Sequence, residues 1–197
     1  MESVTNFDLA LSVALGIGLA AATGFRIFLP MLVTSIAANT GHLPLAESFV
    51  WLGTPTALIV LGIAALAEIL AYYIPGVDNL LDTLATPAAL VAGTIISAAV
   101  ITDLPPMVKW ATAIIAGGGV AGLMQSTTAL LRAKSTVFTA GIGNPVIATT
   151  ELGSSLIVSL LALAAPFIAL LLVVLFLWLA LRFLLKLTRR EPKPLKE

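Results

Sequence analysis

The run from Val146 to Leu187, VIATTELGSSLIVSLLALAAPFIALLLVVLFLWLALRFLLKL, decides the solvent in which this chain folds. Glu151, Arg182 and Lys186 are its only charged residues. As one helix rising about 1.5 Å per residue it would be roughly 60 Å long, twice the ~30 Å hydrocarbon core of a bilayer. A water-exposed helix needs a polar face, and this run offers none along most of its length. It therefore reads as two transmembrane helices. Pro166, following Ala164 and Ala165, is the natural divide, because proline cannot donate the backbone hydrogen bond a continuous helix requires.

The same pattern extends outward to the N-terminus. Of 197 residues, 59% are hydrophobic and 10% are Asp, Glu, Lys or Arg, against about 25% charged in an average soluble domain. Mean hydropathy is +1.10. Six spans are expected, over about 9–38, 55–73, 84–101, 107–131, 146–163 and 167–185, in one domain covering 1–187, with a charged tail at 188–197. The first stretch is too long for one straight crossing, and Gly24, Arg26 and Pro30 in its middle predict a kink or break. Met1 to Asp8 holds two acids and no Lys or Arg, so the first apolar run reads as a retained helix and not a secretory signal. Gly76–Thr83 reads as a polar connector, with Pro87 in the first turn of span 3. Ser135–Pro145 reads as a glycine-rich connector, either a re-entrant loop or a loop with Pro145 opening span 5.

Lys and Arg collect on the cytoplasmic side of short loops. With six spans and both ends inside, Arg132, Lys134, Arg182, Lys186, Arg189, Arg190, Lys193 and Lys196 fall inside and Lys109 alone outside. The expectation is a multi-pass protein of the cell (inner) membrane with both termini cytoplasmic. Trp51 and Trp110 then fall at the outer interface, and Tyr72 and Tyr73 at the inner one. Three spans followed by three also suit two inverted repeats. Spans 1 and 4, both rich in glycine, are expected to cross closely.

Arg26, Glu68 and Glu151 interrupt apolar runs. An ionised side chain at the bilayer centre costs roughly 2.5–3.5 kcal/mol, so the three must be paired, protonated or wet. Glu68 lies seven positions before Pro75 and Glu151 six after Pro145, which places both roughly 9–11 Å inside the same boundary. Ser154, Ser155 and Ser159 share a helix face with Glu151. Gly118, Gly122, Gln125, Ala129 and Arg132 form a similar line on span 4. Such lines suggest an interior ion or substrate site built from Glu68, Glu151, Arg26, Ser155 and Gln125. A buried Arg–Glu pair that only sets helix register is the plain alternative. Asp78 and Asp82, at i and i+4, are a secondary acidic site that would suit a hard cation, or else a solvated loop with a helix cap. His42, alone in a loop, reads as incidental. No Ser/His/Asp set, cysteine nucleophile, P-loop or HExxH is present, so no enzyme activity and no cofactor is expected.

Gly24-Phe25-Arg26-Ile27-Phe28-Leu29-Pro30, Trp51-Leu52-Gly53-Thr54-Pro55, and Glu68 followed by Ile74-Pro75-Gly76-Val77-Asp78 resemble a family of short bacterial membrane proteins catalogued as a domain of unknown function. Gly141-Ile142-Gly143-Asn144-Pro145 with Glu151 resembles that family's second half, so the likeness runs over about 8–186. It implies a six-helix membrane domain with Arg26, Glu68, Asp78 and Glu151 as signature positions, and no activity. The functional expectation is a small transporter or channel for an ion or small solute, with intramembrane Glu and Arg forming a cation or proton site. The alternative is a membrane scaffold or assembly factor with a structural polar core. The partners expected are lipid and that ion or solute. A homo-oligomer is left open, and the zero net charge gives nucleic acid no footing.

Overall fold

A computed structural model of the chain describes residues 6–188 other than Pro75 and Asp103, and the charged tail beyond Thr188 lies outside the described residues. Every regular element within them is helical. The order is α1 (Asn6–Thr23), α2 (Phe28–Asn39), a 3-10 segment (Glu47–Gly53), α3 (Pro55–Ala71), α4 (Val77–Val100), α5 (Pro106–Thr112), a π segment (Ala113–Gly118), α6 (Gly119–Thr139), α7 (Asn144–Ala164) and α8 (Pro166–Thr188). Proline opens α3, α5, α7 and α8, where the missing N–H has no intrahelical partner to lose.

Four stretches are long and apolar enough to cross a bilayer: Asn6–Thr23, Leu80–Val100, Pro106–Thr139 and Asn144–Ala164. Glu47–Gly53 with Pro55–Ala71 makes a fifth if that pair, bent by 68°, counts as one crossing. Phe28–Asn39 and Pro166–Leu179 are apolar but shorter. The protein is thus an all-helical membrane protein with four to five candidate crossings among the described residues.

The expected break in the first span is present, as two helices separated by Gly24–Ile27. Pro30 does not cause the break. It falls in the first turn of α2, a position proline tolerates. The packing register gives the directions. Gly16 faces Ser97, Gly18 faces Ala162, and Arg26 reaches Ala148 O, so α1 descends where α4 and α7 climb. α2 then climbs beside the descending α3. Ile27 and Phe28 meet Glu68, Leu32 adjoins Gly62, and Asn39 donates to Gly53 O at 2.8 Å. α1 and α2 therefore form a hairpin whose tip is inside the protein. α8 runs parallel to α1, with Phe7 against Phe167 and Phe25 against Phe176. The extra reversal places the start of α1 and the end of α8 at opposite ends of the bundle.

Two expected connectors are helix. α4 starts at Val77 and carries Pro87 in its interior, because Asp78 Oδ1 accepts from Gly76 N at 2.9 Å and Asp78 Oδ2 from Asn144 Nδ2 at 2.7 Å. These bonds hold the first turn in place. α6 continues through Ser135 to Thr139. The turn into α7 is only Ala140–Gly143, with positive φ at Ala140 and Gly141, so it is a tight hairpin turn and not a re-entrant loop.

Small residues seal the end of the bundle that carries Trp51 and Trp110, hereafter the aromatic end. A Cβ on Gly16 would lie 2.8 Å from Ser97 Oγ, one on Gly117 2.5 Å from Ser97 Cβ, and one on Gly93 2.4 Å from Ala121 Cβ. At these points the backbones of α1, α4, the π segment and α6 pack in close contact. Phe49 also meets the Trp110 ring here.

Candidate functional site: a buried cluster of two arginines and four acids

Charged groups gather at the opposite end, where α3 and α6 finish and α4 and α7 begin. Arg132 is the hub, 1% exposed. Its Nη1 donates to Asp82 Oδ1 at 2.9 Å and its Nη2 to Glu151 Oε2. Arg26, also 1% exposed, projects from the α1–α2 tip. Its Nη2 donates to Ala148 O at 2.9 Å and lies 3.5 Å from Glu151 Oε2. The Tyr72 ring lies between the two guanidiniums, 3.9 Å from Arg26 Cζ and 4.2 Å from Arg132 Cζ. Each aromatic face offers the ring's negative side to a cation, which lowers the cost of two positive groups sharing a dry space.

The other acids have different partners. Glu68 Oε1 accepts from Ile27 N at 2.7 Å and Oε2 from Phe28 N at 3.0 Å. It closes the N-terminus of α2, where free N–H groups and the helix dipole favour a carboxylate. Asp78 receives Asn144 Nδ2, which also donates to Thr136 Oγ1 at 3.0 Å. Ser155, fully buried, donates to Ala22 O at 3.1 Å, and Ser159 to Ser155 O at 2.7 Å, so the serine stripe ties α7 to α1. Buried Gln125 sits on α6 beside Gly24. His42 contacts Thr40 in the turn after α2, away from the cluster.

The structure thus brings Arg26 to Glu151 directly and joins Asp82 to them through Arg132, with Asp78 at the cluster's mouth and Glu68 held against the α1–α2 tip. Ser155 and Gln125 pack above them. Sequence reasoning missed three members. Arg132 reads as a loop cation by the charge rule, although its place on the small polar line of span 4 was a usable signal. Tyr72 reads as an interface aromatic but is 5% exposed, and Asn144 reads as a turn residue but is 4% exposed.

Several buried polar atoms lack a partner: Arg26 Nε and Nη1, Arg132 Nε, Asn144 Oδ1 and Glu151 Oε1. Three cavities approach them. A small polar one of about 100 Å³, lined by Tyr72, Asp78, Thr136 and Asn144, opens beside the α6–α7 turn. An apolar cavity of about 440 Å³ between α6, α7 and α8 reaches Glu151. Another of about 420 Å³ between α3 and α4 reaches Glu68 and Tyr72. Among the described residues, no three His, Cys, Asp or Glu side chains converge as a metal site would require.

No curated protein and no solved structure matches the chain. Its residues 13–186, which hold every member of the charged cluster, match the family model "Domain of unknown function (DUF4126)", and the chain belongs to that family.

Proposed function

We propose that this protein is a small transporter for a cation, a proton or a small protonatable solute, with the Arg26–Arg132–Glu151–Asp82 cluster as its binding site. The observation that carries the reading is the charge balance of a desolvated cluster. Asp82 and Glu151 pair with the two guanidiniums, Asp78 and Glu68 add two further acids held by neutral donors nearby, and a carboxylate oxygen on Glu151 is buried without a donor. A low-dielectric site with excess carboxylates favours taking up protons or a cation. The polar cavity at Asp78 and Asn144 supplies an aqueous approach, while the aromatic end is closed by close helix packing. Passage therefore requires the α1–α2 hairpin to move, and Arg26 at its tip couples that motion to the site.

The charged end is assigned to the cytoplasm. Lys134 and Arg182 lie toward it and Lys109 toward the other end, and the sequence adds Lys186, Arg189, Arg190, Lys193 and Lys196 after Arg182. The C-terminus is then cytoplasmic and the N-terminus on the opposite face of the inner membrane. Reporter fusions at each end test this, and equal cytoplasmic signals would overturn it. For transport, the purified protein in proteoliposomes should carry a cation or proton flux that Glu151→Gln abolishes. Unchanged flux in that variant would remove Glu151 from the pathway.

The scaffold reading has one observation in its favour: both oxygens of Glu68 are satisfied by backbone. It predicts that Glu151→Gln raises thermal stability and that no flux exists to lose.

A further inference from the structure

The cavity that reaches Glu151 opens sideways, between helices whose exposed side chains are apolar. Leu131, Val146, Ile157 and Leu172 at its mouth are all exposed, and in a bilayer they face acyl chains. Its volume, about 440 Å³, lies in the range of small-molecule sites. At its inner end stands a carboxylate, 3% exposed, whose Oε2 takes both guanidinium contacts and whose Oε1 has no partner. The comparable cavity at Glu68 lacks this feature, since both carboxylate oxygens there are engaged. A greasy groove that reaches a buried carboxylate with one oxygen still lacking a donor describes a ligand with an apolar body and a positive head that donates a hydrogen bond.

We infer that the α6–α7–α8 groove binds an amphiphilic ammonium ion, its alkyl or aryl body against Phe25, Met124 and Phe176 and an N–H of its head on Glu151 Oε1. The ligand enters from the lipid phase, not through the polar mouth at Asp78. The inference deepens the transport reading by naming the substrate class, and it rests on Glu151 belonging to the transport site.

The test is equilibrium binding to the full chain in phosphatidylcholine nanodiscs, with empty nanodiscs subtracted. Four probes of one chain length are compared: dodecylammonium, dodecyltrimethylammonium, dodecanol and dodecanoate. Dodecylammonium should bind at least about tenfold tighter than each of the others, the usual worth of a charge-assisted hydrogen bond. Glu151→Gln should remove that preference. Thr150→Trp fills the groove lip from an exposed position without touching the charged cluster, and should weaken all binding. It keeps the test decisive if Glu151→Gln fails to fold. Equal binding of dodecanol or dodecyltrimethylammonium, or dodecylammonium binding that Thr150→Trp leaves unchanged, overturns the inference. Glu151-dependent binding without any flux would retain the site and reject the transport reading. Proton or metal-cation flux without amine binding would do the reverse.

Discussion

Glu68 and Glu151 occupy matching circumstances and differ in what holds them. Each lies near the charged end of its helix, beside an apolar cavity of about 420 Å³ or 440 Å³ that opens between helices. Glu68 spends both oxygens on the backbone N–H groups of Ile27 and Phe28. Glu151 gives one oxygen to two guanidiniums and leaves the other bare. The first arrangement is saturated and holds a helix tip in place. The second leaves one buried oxygen without a donor, which the proposed function uses as its binding group. A buried carboxylate is therefore not informative until its lone pairs are assigned, and on the proposed function the assignment gives Glu68 a holding role and Glu151 the binding one.

Arg132→Ala should have the largest effect on this contrast. It strands Asp82 and Glu151 without their shared guanidinium, and breaking a buried pair this way costs about 3–5 kcal/mol. Chemical unfolding in detergent measures it. The double variant Arg132→Met with Asp82→Asn should recover part of that loss, since it neutralises the acid left without its guanidinium while Glu151 keeps Arg26. A loss below about 1 kcal/mol for the single variant would mean the cluster is wetter than its burial indicates.

Gly24→Ala comes next. A Cβ there would sit 2.4 Å from Met124 Cβ and 2.5 Å from Ala121 O, so the α1–α2 tip must move away from α6. Overpacking of this kind costs about 1–3 kcal/mol. Because the tip carries Arg26, flux should fall even where the variant remains folded. Melting temperature and flux, measured on the same preparation, separate the two losses.

Glu68→Gln should cost about 0.5–2 kcal/mol, the range for a lost helix cap, and should leave cation flux in place. This is the sharpest test of the comparison. If Glu68→Gln stopped flux as completely as Glu151→Gln, the two acids would be one functional pair, and saturated hydrogen bonding would not mark a structural role. Tyr72→Phe should have the smallest effect, because the ring that faces both guanidiniums is retained. A shift under about 1 kcal/mol is expected. Tyr72→Leu, which removes the aromatic faces, should cost more.

The halves of the cluster were unequally legible in the sequence. Arg26, Glu68 and Glu151 announce themselves because a charge inside an apolar run has a cost that something must offset. Arg132 does not, because it sits near Lys134 at the end of a span, where the charge rule claims it for water. What buries it are Asp82, 50 positions away, and Glu151, 19 positions away. Tyr72 hides for the same reason, since an aromatic at a span end is as much at home in the interface as between two guanidiniums. The start of α4 was missed because Asn144, 66 positions distant, supplies a bond to Asp78 that no local propensity includes.

By itself the sequence determined the solvent, the helical class and most helix starts. Those follow from runs of apolar residues and from where proline stands, and both act within a few positions along the chain. It also determined that charged groups would have to meet inside the membrane, because lipid offers them no other partner. Only the tertiary structure decided which groups meet and how the chain turns to let them. The first apolar stretch folds back on itself instead of crossing once. Gly24 lets its tip press against α6, and Glu68, about 40 positions on, satisfies the amides that the turn exposes. In hydrocarbon an unsatisfied helix end is too costly to persist, so the reversal depends on an acceptor delivered by another helix.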